Sequence, residues 1–141
     1  MKIAVIDGQG GGIGKVVVEK LKKTFGEKIH LLALGTNSLA TSLMLKAGAN
    51  TGATGENAVV YNVAKVDIII GPVAIIAGNS LLGELTPKMA EAVADSGALK
   101  ILIPLSKSRI EIAGAVNKPL PHYVDDVVQL VTLKLRGEEN V

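Results

Sequence analysis

Five glycines stand within seven residues, Gly8-Gln9-Gly10-Gly11-Gly12-Ile13-Gly14. An apolar run, Met1 to Asp7, precedes them and reads as a buried strand. Lys15 to Phe25 follows with helical spacing. Strand, glycine loop and helix in that order suit an anion, because loop N–H groups and the helix N-terminus both attract negative charge. Gly8, Gln9, Gly10, Gly11, Gly12, Ile13, Gly14 and Lys15 are therefore the candidate phosphate-contacting residues. Lys15 either faces that phosphate or is a solvated lysine. Asp7 would repel a phosphate, and reads instead as an acceptor for loop N–H groups.

The dinucleotide fingerprint G-x-G-x-x-G fails in both registers, since Ile13 or Lys15 takes the last position. The Walker pattern fails at Gln9 and Val16. What fits is G-x-x-x-G-x-G at Gly8, Gly12 and Gly14, which resembles the cofactor loop of short-chain dehydrogenases. That resemblance implies NAD or NADP as the ligand. The residues after strand two answer differently. An NAD site expects an acid there and an NADP site an arginine, whereas the chain has Thr36, Asn37 and Ser38. Thr36 and Asn37 either bind ribose through neutral hydrogen bonds or cap the next helix. Gly71, at the end of strand three, is small enough to let a ligand approach, and Asn79 is a further candidate contact. Tyr61 and Lys65 spell the dehydrogenase Tyr-x-x-x-Lys, but they come before the third strand, too early for that role. No acid–base pair carries a reaction.

The elements that would position this loop alternate strand and helix. Strands are expected at 29–34, 66–71, 100–104 and, shorter, 110–113; helices at 39–46, 57–64, 81–94 (restarting at Thr86-Pro87) and 122–135. Residues 49–57 read as a polar loop or lid. Ser106-Lys107-Ser108-Arg109 is the one cationic loop on the ligand side, and 136–141 a frayed tail. The fold expected is one three-layer, Rossmann-like α/β domain over residues 1–141, with a mainly parallel sheet. Met1 to Lys15, Ala47 to Asn57 and Gly71 with Pro72 resemble an uncharacterised bacterial family of short Rossmann-like proteins, catalogued as a domain of unknown function. That likeness implies the fold and a bacterial cytosolic setting, and no reaction.

Composition narrows the classes. Hydrophobic residues make up 48% and aromatic residues 2%, so the core must be aliphatic. Cysteine is absent, which removes disulfides and thiolate chemistry. His30 and His122 offer no metal-ligand spacing. A net charge of +2, with two arginines and no aromatic platform, argues against nucleic acid. The longest apolar stretch is broken at Gly71-Pro72, so no membrane span and a cytoplasmic location are expected. A mean hydropathy of +0.41 points to apolar surface covered in a homo-oligomer. The sequence thus favours a protein that binds a small-molecule nucleotide or anion. The alternative is a non-catalytic oligomeric module that senses an anion, or an assembly subunit whose glycine turn only packs.

Overall fold

The computed structural model describes residues 1–105 and 109–139. Five strands form one sheet in the order β3-β2-β1-β4-β5, and every pairing is parallel. They are β1 (Lys2–Asp7), β2 (His30–Gly35), β3 (Thr51–Thr54), β4 (Ile68–Pro72) and β5 (Leu99–Ile103). The helices are α1 (Gly12–Phe25), α2 (Ser38–Lys46), α3 (Glu56–Val63), α4 (Pro87–Asp95) and α5 (Leu120–Glu139). This is the three-layer Rossmann order that the sequence implies. The chain winds outward from β1 through β2 to β3, then returns to the other side of β1 as β4. The sheet reverses its winding between β1 and β4, where ligands of such folds bind.

Alternation within the strands builds two cores. Ile3, Val5, Leu31, Ile68, Ile70 and Ile101 point to one face, against Val17, Val18 and Leu21 of α1 and Val124, Val127 and Val131 of α5. Ala4, Ile6, Leu32, Leu34 and Ile69 point to the other, against Val59 and Val63 of α3 and Met89 and Val93 of α4. A strand covered on both sides must be apolar along its covered length, as Ile3 to Ile6 of β1 and Ile68 to Ile70 of β4 are. Both cores are almost wholly aliphatic; Tyr123 is the one aromatic among their buried residues.

Local signals fix several boundaries. Asn37 caps α2, its Oδ1 accepting from Ala40 N–H at 2.9 Å. Thr86 caps α4 with Pro87 at the first helical position, accepting from Met89 N–H at 3.2 Å. Gly26 ends α1 at φ 53°.

Four expectations need correction. The stretch 49–57 is not a loop or lid, because Thr51–Thr54 pair with β2 as an edge strand, two strands away from β1. Gly52 allows that pairing, since a Cβ there would meet Thr41 and Leu45 side chains at 3.0–3.1 Å. Residues 110–113 form no strand and lie exposed. Helix α1 starts at Gly12 rather than Lys15, and α5 continues to Glu139, so most of the expected tail is helical. Of the cationic loop, Ser106, Lys107 and Ser108 lie outside the described residues; Arg109 is exposed.

Gly35 is the tightest glycine of the frame. An added Cβ would meet Asn37 O and Thr41 N, both backbone, at 2.6 Å. Gly35→Ala should cost about 2–3 kcal/mol through this overpacking. Gly137→Ala, in open space on α5, should instead stabilise by up to about 1 kcal/mol. Urea denaturation of both variants checks the pair.

Candidate functional site

Asp7 ends β1 and is buried. Its Oδ1 accepts from Gly8 N–H at 2.8 Å and its Oδ2 from Gly14 N–H at 2.7 Å. One carboxylate thereby fastens the end of the strand to the first turn of α1. Burial pushes the Asp7 carboxyl above its ordinary range; the amides of Gly14, Gly8 and Ile13 oppose that push without cancelling it, and Glu84 adds to it. Between the fastened points, Gly11 N–H donates to Gly8 O at 3.0 Å. Gln9 and Gly11 take left-handed backbone, φ 49° and 73°.

The loop glycines fall into two groups. Gly8, Gly11 and Gly14 are there for packing. A Cβ on Gly8 would strike Thr36 Oγ1, one on Gly11 would meet Ala40 Cα at 2.9 Å, and one on Gly14 would meet Asp7 Cβ at 2.9 Å. Gly10 and Gly12 differ. Both are exposed, neither has positive φ, and a Cβ on either would meet nothing within 4 Å. Their N–H groups have no protein acceptor among the described residues. Neither packing nor backbone geometry calls for glycine at these two positions.

Beside them opens a cleft of about 1090 Å³. The glycine loop lines it, with Pro72 at the end of β4 and Ala74 just beyond. Four leucines also line it: Leu81, close beside Gly8, and Leu82, Leu105 and Leu120. It therefore spans the winding reversal of the sheet and combines the bare amides of the loop with apolar leucine side chains.

The strap over this cleft runs from Ala77 to Thr86. Asn79, Leu81 and Leu82 all sit in left-handed backbone, φ 68°, 55° and 56°. Such conformations cost a non-glycine residue about 1–3 kcal/mol each and persist only where surroundings impose them. Here Asn79 N–H donates to Leu85 O at 2.7 Å, Ser80 Oγ donates to Ala74 O at 2.6 Å, and Leu85 is buried. Leu82 is 95% exposed above the cleft.

Glu84 anchors the far end of the strap. Its Oε1 accepts from Gln9 N–H at 2.8 Å, Thr36 Oγ1 at 2.6 Å and Asn37 Nδ2 at 2.8 Å. Led by the Thr36 hydroxyl and then the Gln9 amide, these donors hold its carboxyl below the usual range against a smaller opposing effect of burial. Asn37 Nδ2 also donates to Gln9 O at 2.9 Å.

The structure thus sorts the residues singled out in the sequence. Gly8, Gln9, Gly10, Gly11, Gly12, Ile13 and Asn79 line the cleft. Thr36 and Asn37 do not: they are engaged by Glu84, and Asn37 is the helix cap. Lys15 points to solvent outside the cleft. Gly71 is buried, with Ile6 O 2.6 Å from where its Cβ would be, so its smallness serves sheet packing rather than ligand approach. Tyr61 and Lys65 stack on each other, 3.5 Å from ammonium to ring centroid. They lie on α3 and just after it, and neither lines the cleft. Sequence reasoning missed Glu84 and the leucine walls. No spacing rule links position 84 to position 9.

A parallel sheet in the 3-2-1-4-5 order with a cleft at its reversal point defines a Rossmann-like α/β protein. The chain belongs to the family described as Domain of unknown function (DUF3842), which it matches over residues 2–136. Its fold is similar to a dodecameric FMN-dependent UbiX-like decarboxylase from Escherichia coli O157:H7, with a TM-score of 0.50 and 14% identity over 95% of this chain and 76% of that one. No curated protein matches the chain. Among the described residues no helix is long and apolar enough to cross a membrane, and no cluster of metal-ligating side chains occurs.

Two predictions follow from the carboxylates. Asp7→Ala leaves two buried N–H groups without their acceptor and should cost about 2–4 kcal/mol in urea denaturation. Glu84 has a depressed pKa, so its contribution is present above its unfolded value of 4.5 and is lost as pH falls through the folded value. Asp7, raised from 3.8, has the opposite sign: its contribution is lost as pH rises through its folded value. The stability gap between wild type and Glu84→Gln should therefore shrink steadily below pH 4.5, measured by denaturation across pH.

Proposed function

We propose that this protein binds a phosphate-bearing, nucleotide-type ligand of the flavin class in the cleft at the end of β1 and β4. The observation that carries this reading is the pair Gly10 and Gly12. They are glycines that neither packing nor φ requires, they present bare N–H groups, and a Cβ would fill the space above them. A phosphate would accept from these amides and lie at the positive end of the 14-residue helix α1. The leucine walls suit a flat, largely apolar ring system. The volume, about 1090 Å³, lies just above the range of ordinary small-molecule pockets, about 300–1,000 Å³. The FMN dependence of the structural neighbour, at 14% identity, supports the ligand class. NAD and NADP, implied by the glycine spacing, lack a counterpart for their ribose hydroxyls or phosphate at Thr36 and Asn37.

A flavin would supply redox chemistry at its ring. The residues of this chain would bind its phosphate, shield the ring from water between Leu81 and Leu120, and hold the loop shape through Asp7. Self-association is part of the reading: Leu130 and Leu133 are exposed on α5, and the neighbour is a dodecamer.

Thermal shift with FMN tests the proposal. Ligand at about a hundred times Kd should stabilise the fold by about 2.7 kcal/mol. Gly10→Ala with Gly12→Ala should leave the unliganded stability within about 1 kcal/mol and abolish the shift. No shift in the wild type with FMN, AMP or NAD would instead favour a glycine turn that only packs.

A further inference from the structure

The cleft is open toward β4 and β5 and shut toward β2. Its lining includes the glycine loop, Pro72 and Leu105, but neither Thr36 nor Asn37, which stand immediately beyond β2. Glu84 causes this. It crosses from the strap to the top of the β1–β2 junction and fixes itself to three donors from two separate loops, Gln9 N–H, Thr36 Oγ1 and Asn37 Nδ2. Below the carboxylate the site is equally full: Gly8 has no room for a Cβ beneath Thr36, Leu81 and Glu84. The strap that delivers Glu84 is not loose, because Leu85 is buried and Asn79 and Ser80 are tied down by hydrogen bonds.

This bears on the length of the ligand. A group whose phosphate rests on Gly10 and Gly12 would have its body toward Leu105, after β5, and Leu120, at the start of α5. Anything esterified beyond that phosphate would have to continue over β2, where a second nucleoside would need Thr36 and Asn37. Those donors are already satisfied by Glu84. The acid also places negative charge where a second phosphate would pass. No Lys or Arg lines the cleft among the described residues to offset it.

Resting on the reading above, we infer that Glu84 makes this a mononucleotide site, closing the β2 side to dinucleotides and ending the ligand at its phosphate. Glu84 acts here as a specificity-determining wall. It selects by exclusion, blocking the longer competitor while adding no contact to the shorter one.

The test compares FMN with FAD by isothermal titration, using wild type, Glu84→Ala and Glu84→Gln. Wild type should bind FMN at least about tenfold more tightly than FAD. Glu84→Ala should bring the two within about threefold, by strengthening FAD rather than weakening FMN. Glu84→Gln keeps an oxygen for the three donors and should keep the preference. Equal binding of both flavins by wild type overturns the inference and leaves the ligand reading standing. So does a preference that Glu84→Ala leaves untouched, whereas one that Glu84→Gln abolishes as fully as Ala keeps Glu84 as the determinant and assigns its exclusion to charge. Binding of neither flavin by wild type overturns the ligand reading itself, and the inference with it.

Discussion

A single buried carboxylate holds the business end of this fold together. Asp7 sits where β1 stops, and it gathers the amides of Gly8 and Gly14 into one point. Without an acceptor there, the chain would leave buried N–H groups unmet on both sides of a seven-residue detour. With it, the intervening residues are free to bulge outward, and the two glycines at the crest can leave their amides uncommitted. The burial of Asp7 is costly to its charge, which its raised pKa records. The fold accepts that cost in return for a loop whose shape does not depend on anything bound to it.

The second constraint acts from farther away. The strap after β4 reaches back across the sheet and fixes Glu84 onto residues from the first and second βα connections. Three left-handed non-glycine residues lie along it. Conformations of this kind are maintained only when contacts at both ends leave the chain no alternative. Those contacts are Leu85 in the α3–α4 core and the carboxylate on Gln9, Thr36 and Asn37. Strap and glycine loop are thus mutually supporting. Each depends on the core beneath it, and together they set the shape of the cleft.

Much of the frame was legible because its signals are local. An apolar run marked β1 as a buried strand, and Thr86-Pro87 and Gly26 marked helix ends by capping chemistry. The glycine loop was legible as a turn. The division of its glycines into packing positions and open positions was not, because it depends on neighbours such as Ala40 and Met44 that only the folded sheet brings near. β3 escaped notice because Thr-Gly-Ala-Thr has neither length nor bulk; its pairing comes from β2 beside it. Residues 110–113 erred in the other direction, alternating like a strand with no ladder to join. Glu84 carries no mark at all in the sequence. Its role follows from a contact spanning 75 positions, and from a backbone turn that leucine would not be expected to make.

The scarcity of aromatic side chains in the core has an optical consequence. A polypeptide with two tyrosines, one phenylalanine and no tryptophan is nearly transparent beyond the tyrosine band. Visible colour or emission in a purified sample would therefore come from a guest molecule, not from the polypeptide. The aliphatic packing that lets both layers close tightly on the sheet leaves a clear spectral window in which a bound chromophore would stand out.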